Sequence, residues 1–206
     1  MSSFDKFIKI EHEGAEHLAR VILDETKLTD GVRRVARQVA EWFGDPNEKP
    51  LQIISALNGA KPFTADLKRE LSNLGVETDV HEVKVSNTNG TRGAAVPVLE
   101  YGTIPDKVFA HSKTLIVDDI VDTSGTINFI RKLLAGAEEV RVAVVVNKYA
   151  ELSCVSDFKI HDCVFEKEKM KSRDWKPVDY WLFGYGMDIS GKHRELRDIC
   201  WLEVER

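Results

Sequence analysis

The sequence has few cysteines, no long apolar run and no excess of positive charge, and each of these absences excludes a class of protein. Its three cysteines, Cys154, Cys163 and Cys200, have no C-x-x-C spacing, so they predict neither a zinc site nor a disulfide framework. No stretch of about 18 apolar residues occurs, which argues against a membrane-spanning helix. The first residues lack the basic and then apolar order of a secretory signal, so we expect a cytoplasmic protein without a membrane partner.

The charge balance is acidic, with 29 Lys and Arg against 34 Asp and Glu. Proteins that bind nucleic acids usually present a basic face, so this balance argues against a nucleic-acid partner. We interpret the one basic cluster, KEKMKSR at 167–173, as a solvated loop rather than a phosphate or nucleic-acid patch. At 206 residues, 43% of them hydrophobic, the chain can bury a core without disulfides or a structural metal. We therefore expect one globular domain over 1–206.

Hydrophobic periodicity predicts alternating helices and strands. Val32, Val35 and Val39 recur at helical spacing after Thr29 and Asp30 as candidate N-caps, which predicts a helix from about 30 to 43. The other predicted elements are strands at 51–57, 79–85, 113–117 and 140–146, helices over 62–75 and 127–136, a polar loop at 86–95, and aromatic-rich segments at 178–186 and 199–204.

The strand–loop–helix unit occurs at least twice, and the run VRVAVVV that follows the second unit is continuously apolar. Continuous valine runs are typical of parallel strands that are covered on both faces. The predicted fold class is therefore a doubly wound α/β domain, with a mainly parallel sheet, helices on both faces and a small appended hood formed by the N- and C-terminal segments.

The loop DDIVDTSGT, Asp118 to Thr126, carries the strongest chemical signal. It follows a predicted strand, and ligands of open α/β sheets bind beyond the carboxyl ends of the strands. Hydroxyls and a glycine at 123–126, at the start of a helix, favour binding of a phosphate monoester. Asp118 and Asp119 repel phosphate, but they can accept hydrogen bonds from sugar hydroxyls or hold Mg²⁺ through water. The loop predicts a sugar-phosphate site, and the alternative is an acidic strand end before an ordinary N-cap cluster.

The segment TLIVDDIVDTSGT closely resembles the phosphoribosyl-pyrophosphate motif of type I phosphoribosyltransferases. Three further segments resemble the hypoxanthine/guanine, or 6-oxopurine, branch of that family in the same order: SALNGAKPFTADL, VVVNKYA and DYWLFGYGMDISGKHRELRDI. The resemblance covers about 51–206, so about 1–20 would be an N-terminal extension and about 178–206 a C-terminal purine-binding segment. It implies a purine salvage transferase that makes a nucleoside monophosphate and pyrophosphate from phosphoribosyl pyrophosphate and hypoxanthine, guanine or xanthine, with Mg²⁺.

The resemblance also implies a role for each matching residue. Asp118 and Asp119 would bind the ribose hydroxyls, and Asp122 would be the general base or acid at purine N7. Lys148 would donate to the 6-oxo group. The resemblance assigns binding of the 5′-phosphate to the loop of Asp122, Thr123, Ser124, Gly125 and Thr126, and binding of pyrophosphate to Leu57, Asn58, Gly59 and Arg194. Trp181 would stack on the base, and the Leu182 carbonyl would contact the exocyclic position. Asp188 would coordinate Mg²⁺.

Three positions depart from the family pattern, and one of them is Gly125, which follows Ser124 where the more common order is glycine and then another residue. Ser86-Asn87 stands where the family's mobile loop usually carries Ser-Tyr, and Asn58 stands where many relatives place a basic residue. Because family members are commonly dimers or tetramers, we expect a homodimer or homotetramer. The alternatives are a transferase for another nucleobase and a non-catalytic regulator that binds phosphoribosyl pyrophosphate. A phospho-receiver domain is disfavoured, because at least two strand–loop–helix units precede the acidic pair.

Overall fold

The computed structural model describes residues 6–44, 49–89, 95–104, 109–121, 125–147, 162–166 and 179–204. Within these ranges the chain forms ten strands and three helices. Their order is β1 Phe7–His12, β2 Ala15–Leu23, α1 Glu25–Phe43, β3 Leu51–Ala56, α2 Lys61–Asn73, β4 Thr78–Asn89, β5 Ala95–Tyr101, β6 Lys113–Val121, α3 Gly125–Leu133, β7 Glu139–Asn147, β8 Asp162–Glu166, β9 Asp179–Phe183 and β10 Ile199–Val204.

The larger sheet has the strand order β5-β4-β3-β6-β7-β8. All of its neighbouring strands are parallel except β4 and β5, which are antiparallel. Alternate residues of its central strands face two different apolar clusters: Ile53 packs with residues of α1 and α2, and Ile54 packs with residues of α3. Helices therefore cover both faces, and the predicted α/β fold with a mainly parallel sheet is confirmed. No helix in these ranges is long and apolar enough to cross a membrane.

A second sheet, of order β1-β2-β10-β9, joins the two ends of the sequence. Its strands are antiparallel, and Val21 of β2 pairs with Cys200 of β10. One of its faces packs in a small apolar cluster that includes Ile10, Phe183 and the buried free thiol of Cys200. Because β9 and β10 belong to this sheet, the sheet anchors both ends of the segment 184–198.

Helix α1 begins at Glu25, before the predicted start near 30. Asp24 is the N-cap, and its carboxylate accepts a hydrogen bond from the backbone N–H of Lys27 at 2.9 Å. Thr29 lies inside the helix and donates its hydroxyl to the Glu25 carbonyl at 2.8 Å. The predicted N-cap at Thr29 or Asp30 is therefore wrong, because Asp24 satisfies the first backbone donors one turn earlier.

Two strands extend beyond their predicted ends. The polar segment predicted as a loop at 86–95 is strand at both ends, where Ser86 pairs with Val98 and Asn89 pairs with Ala95. Strand β6 continues through Val121, whereas its prediction stopped at 117. In both cases ladder hydrogen bonds to a neighbouring strand organise a segment whose side chains give little apolar signal. Residues 90–94 lie outside the described ranges.

Helix α2 follows its predicted limits closely, with one difference in its apolar face. Phe63, Leu67, Leu71 and Leu74 recur at helical spacing, and the first three are buried, but Leu74 is about half exposed and serves as the C-cap. Gly75 follows with φ 79°, the left-handed conformation that glycine adopts at low cost after a helix. The basic cluster at 167–173 lies outside the described residues.

Candidate active site

Three segments meet near the carboxyl edge of the larger sheet. They are residues 57–59 after β3, the acidic pair near the end of β6, and the 184–198 loop between β9 and β10. A Cβ atom on Gly59 would overlap the Asp119 carboxylate, and a Cβ atom on Gly186 would overlap the Gly59 carbonyl oxygen. The Gly59 backbone therefore lies directly against the Asp119 side chain, and the Gly186 backbone lies directly against the Gly59 backbone, so a side chain at either glycine would force its neighbour to move.

The 57–59 segment turns the chain from β3 into α2. The Leu57 N–H donates to the Val83 carbonyl of β4 at 2.7 Å, and the peptide bond between Leu57 and Asn58 is cis. The N–H groups of Asn58 and Gly59 donate to no acceptor in the described part of the chain. Successive backbone N–H groups of this kind can bind an anion.

The acidic pair lies in β6 and is largely removed from water. Asp118 is 9% exposed, and its Oδ1 accepts a hydrogen bond from the Asp119 N–H at 2.9 Å. Asp119 Oδ1 accepts from the Ile120 N–H at 2.8 Å. Burial raises the pKa of both carboxyls, and the neighbouring Asp119 charge raises the pKa of Asp118 further. The nearby Arg194 guanidinium opposes the rise in the pKa of Asp119. Hydroxyl donors from a sugar would stabilise the ionised form of these carboxylates.

The raised pKa of Asp118 predicts that its carboxylate lowers the stability of the free protein. Between the ordinary Asp pKa of about 3.9 and the raised value, the folded state binds the proton that the unfolded state has lost, so stability falls as pH rises. The substitution D118N should therefore raise Tm at pH 8 by roughly 2–4 °C, and this difference should disappear near pH 4. Thermal melts from pH 4 to pH 8 test this.

The matched control for this stability prediction is D30N. The Asp30 side chain is 71% exposed and contacts Arg33 only at 3.6 Å, so its Tm should stay close to the wild-type value at every pH. A lower Tm for D118N at pH 8 would contradict the prediction. Lost activity together with higher stability would mark Asp118 as a residue kept for its function.

The 184–198 loop carries the candidate metal ligand and the candidate pyrophosphate-binding arginine. Arg194 Nη2 lies 2.6 Å from Asp188 Oδ1, and Arg194 Nη1 donates to the Gly186 carbonyl at 2.6 Å. The other Asp188 oxygen accepts from the Gly191 N–H at 2.7 Å. These contacts hold the carboxylate and the guanidinium side by side, next to the Gly59 backbone.

A hydrogen bond fixes the same loop to helix α2. The Tyr185 hydroxyl donates to Asp66 Oδ2 at 2.7 Å, and burial raises the pKa of Tyr185 well above its ordinary value. Tyr185 and Gly186 were not singled out from the sequence. The run FGYGMD, with two glycines around a tyrosine, is the signal that could have found them, since Gly184 and Gly186 have φ values of 92° and 97°.

Asp188 fits a metal that is shared with a substrate. No group of three or more His, Cys, Asp or Glu side chains able to hold a metal occurs within the described ranges. Mg²⁺ rarely needs such a cage, because it commonly binds one or two carboxylates together with waters and substrate phosphates. A single carboxylate beside two unpaired backbone N–H groups and an arginine suits Mg²⁺ that arrives with a polyphosphate.

The remaining candidate residues divide into those that the structure describes and those that it does not. Gly125 and Thr126 form the first residues of α3. On β9, Trp181 is 54% exposed, whereas Leu182 is buried in the cluster that contains Val145. Ser86 and Asn87 lie on β4. The predicted roles of Asp122, Thr123, Ser124 and Lys148 concern residues outside the described ranges.

The mainly parallel sheet, with helices on both faces and the candidate site near its carboxyl edge, defines an open α/β protein. The chain belongs to the phosphoribosyl transferase domain family, whose model matches residues 21–181.

The relatives that it matches lie in one branch of that family. The chain is 27% identical to the hypoxanthine-guanine phosphoribosyltransferase of Crithidia fasciculata, over 90% of this chain and 86% of that protein. It is 23% identical to the hypoxanthine phosphoribosyltransferase of Haemophilus influenzae, over 92% and 98%. Among solved structures, the Trypanosoma cruzi hypoxanthine phosphoribosyltransferase in complex with the product IMP has a TM-score of 0.70 and 26% identity, over 92% of this chain and 95% of that one. The resemblance to the hypoxanthine/guanine branch is confirmed.

Proposed function

We propose that this protein is a 6-oxopurine salvage phosphoribosyltransferase. It transfers the ribose 5-phosphate group of phosphoribosyl pyrophosphate to hypoxanthine, guanine or xanthine and releases pyrophosphate. The observation that carries the proposal is the contact of the 57–59 segment with both Asp119 and the loop of Asp188 and Arg194. This contact places groups suited to a sugar beside groups suited to a polyphosphate. The names of the relatives and the IMP complex of the Trypanosoma cruzi protein support the choice of base.

Displacement of pyrophosphate at ribose C1 creates positive charge on the sugar and negative charge on the leaving group. The N–H groups of Asn58 and Gly59 and the Arg194 guanidinium bind the leaving oxygens as their charge grows. Asp118 and Asp119 accept hydrogen bonds from the ribose hydroxyls and hold C1 in position. Mg²⁺, held by Asp188 when bound, supplies further neutralisation of the pyrophosphate charge.

Base recognition would come from the ends of β7 and β9. Lys148 follows β7 directly and would donate to the 6-oxo group, and the buried Leu182 would present its carbonyl to the exocyclic position. The exposed ring of Trp181 is available for stacking. Asp122 would exchange a proton with purine N7. The homo-oligomeric state and the cytoplasmic location stay predictions.

An absorbance assay of nucleotide formation tests the proposal. The protein is incubated with Mg²⁺, phosphoribosyl pyrophosphate and, in parallel, hypoxanthine, guanine, xanthine or adenine. We expect turnover of at least one oxopurine and none of adenine. D122N should lower kcat about 10²-fold, because general acid–base catalysis contributes about 10²–10⁴.

A failure to convert any of the four bases would contradict the proposed function. If no base is converted while phosphoribosyl pyrophosphate still binds, the salvage reaction is wrong. The non-catalytic regulator then becomes the better interpretation.

A further inference from the structure

Tyr185 connects the 184–198 loop to helix α2. Its hydroxyl donates to Asp66 Oδ2 at 2.7 Å, and Asp66 lies in the second turn of the helix. The helix begins at Lys61, and only one residue separates it from the 57–59 segment. The hydrogen bond at Asp66 therefore fixes the loop relative to the segment whose N–H groups we propose bind pyrophosphate.

Hydrogen bonds within the loop connect Tyr185 to the two charged residues of the candidate site. The Tyr185 N–H donates to the Leu196 carbonyl at 2.7 Å, and the Gly186 N–H donates to the Arg194 carbonyl at 3.0 Å. The Arg194 guanidinium donates back to the Gly186 carbonyl and pairs with Asp188. The tyrosine and the two charged side chains are therefore joined in one hydrogen-bonded unit.

The backbone of Tyr185 gives a second indication. Its φ of 49° lies in the left-handed region, which is uncommon for a bulky residue. A glycine would adopt this conformation at lower cost, as Gly184 and Gly186 do on either side. Strained residues persist where the surrounding structure holds them, and they cluster at functional sites. The tyrosine side chain is therefore expected to do more than fill space.

A cavity of about 440 Å³ borders the contact between the loop and the helix. Asp66, Tyr185 and Arg194 are among the residues that line it. Because side chains do not fill this space, polar contacts hold the loop on this side. Arg197 and Glu25 also line the cavity and form an ion pair, but both side chains are exposed, so the pair contributes little. The hydrogen bond from the buried tyrosine is the stronger contact.

We propose that Tyr185 and Asp66 are positioning residues for pyrophosphate. Their hydrogen bond sets the position of Arg194 and Asp188 relative to the N–H groups of the 57–59 segment. The inference rests on the proposed function. One pyrophosphate can contact both parts of the site only when their separation is fixed, and such preorganisation lowers the cost of binding. Both residues act through other groups rather than by contact with the substrate.

The test is Y185F, which removes the hydroxyl and keeps the buried ring. Asp66 is 33% exposed and keeps its contact with Arg69 at 2.8 Å, so Tm should fall by no more than about 4 °C. The Kd of Mg²⁺-pyrophosphate, measured by calorimetry, should rise about tenfold, and kcat should fall about 10–100-fold. The Kd of IMP, which has no pyrophosphate group, should stay within about twofold of the wild type.

Variants of Asp66 test whether the two residues act through one hydrogen bond. D66N keeps an acceptor for the tyrosine hydroxyl, so its Kd for Mg²⁺-pyrophosphate should stay within about threefold of the wild type. D66A removes the acceptor and should weaken this binding about as much as Y185F does. The double variant Y185F/D66A should then bind no more weakly than D66A alone, because the two substitutions break the same contact.

The controls are Y101F and R69M, at side chains that are exposed. Tyr101 is 60% exposed on β5, and the Arg69 side chain is 65% exposed. Neither variant should change the Kd of Mg²⁺-pyrophosphate by more than about twofold. Equal weakening by R69M and Y185F would show that the charge around Asp66 matters and not its bond to the tyrosine, and the inference would be wrong.

Three results separate the inference from the proposed function. If the wild type turns over an oxopurine and Y185F binds Mg²⁺-pyrophosphate as the wild type does, only the inference fails. If Y185F loses affinity for both Mg²⁺-pyrophosphate and IMP and has a much lower Tm, Tyr185 is structural and the inference is also wrong. If the wild type neither converts a base nor binds Mg²⁺-pyrophosphate, the proposed function and the inference fail together.

Discussion

The substitution G59A should lower kcat/KM for phosphoribosyl pyrophosphate about 10³-fold in a protein that still folds, because it displaces Asp119, the carboxylate that we propose binds the ribose. A Cβ atom at this position would overlap Oδ2 of Asp119 and crowd its Cγ. The φ of Gly59 lies outside the left-handed region, so alanine can adopt the local backbone conformation. Asp119 must then rotate away from the proposed ribose site, and a displacement of about 1 Å at a catalytic site can cost about 10²-fold in rate.

The matched control is G136A, at a glycine without a positive φ. Its Cβ would lie 3.9 Å from Ala110 Cα, which is an ordinary contact. Steady-state kinetics and thermal melts should show wild-type activity for G136A, and a small change in Tm for both variants. If G59A keeps more than about a tenth of the wild-type kcat/KM, the close approach of Gly59 to Asp119 is not needed for catalysis.

The substitution R194M should lower kcat/KM about 10²–10³-fold, the usual cost of removing one preorganised donor from a site that stabilises developing charge. Methionine keeps much of the side-chain length but cannot bind the leaving pyrophosphate. It also leaves Asp188 without its ion-pair partner at 2.6 Å. We expect most of the loss in kcat and a smaller change in KM, because the leaving group is most negative in the transition state.

R197M is the control for this second substitution. Arg197 lies on the same loop, its side chain is 79% exposed, and it pairs with Glu25 at 2.6 Å. Exposed ion pairs contribute little, so R197M should keep kcat and KM within about threefold of the wild type. Equal losses for the two variants would show that the charge of the loop matters and not the position of the Arg194 guanidinium.

The sequence predicts well those features that depend on neighbouring residues. Continuous apolar runs identified β3, β6 and β7, because a strand covered on both faces has no polar side to interrupt the pattern. The acidic pair Asp118 and Asp119 could be placed at a strand end, since the residues around it follow one another along the chain. The helix start was missed because Asp24, Thr29 and Asp30 are all good N-caps, and tertiary packing decides among them.

The features that could not be predicted depend on residues distant in sequence. The pairing of β2 with β10 produces no pattern in the sequence of either strand alone. The polar segment 86–89 of β4 forms a strand only because β5 lies beside it. The contact between Gly59 and Gly186 is of the same kind: each glycine alone suggests a turn, and only the fold brings them together.

The pairing of β2 with β10 also determines when a newly made chain can become active. Synthesis proceeds from the N-terminus, and folding can begin with the part of the chain already released. The strands β3, β4, β6 and β7 can pair as they emerge, so Asp118 and Asp119, which we propose bind the ribose, can be positioned early. The hairpin of β1 and β2 is only marginally stable without a third strand, and its partner β10 is made after every other described element. The nascent protein can therefore position the proposed sugar-binding pair before it has the anchored loop of Asp188 and Arg194, which we propose binds the leaving group.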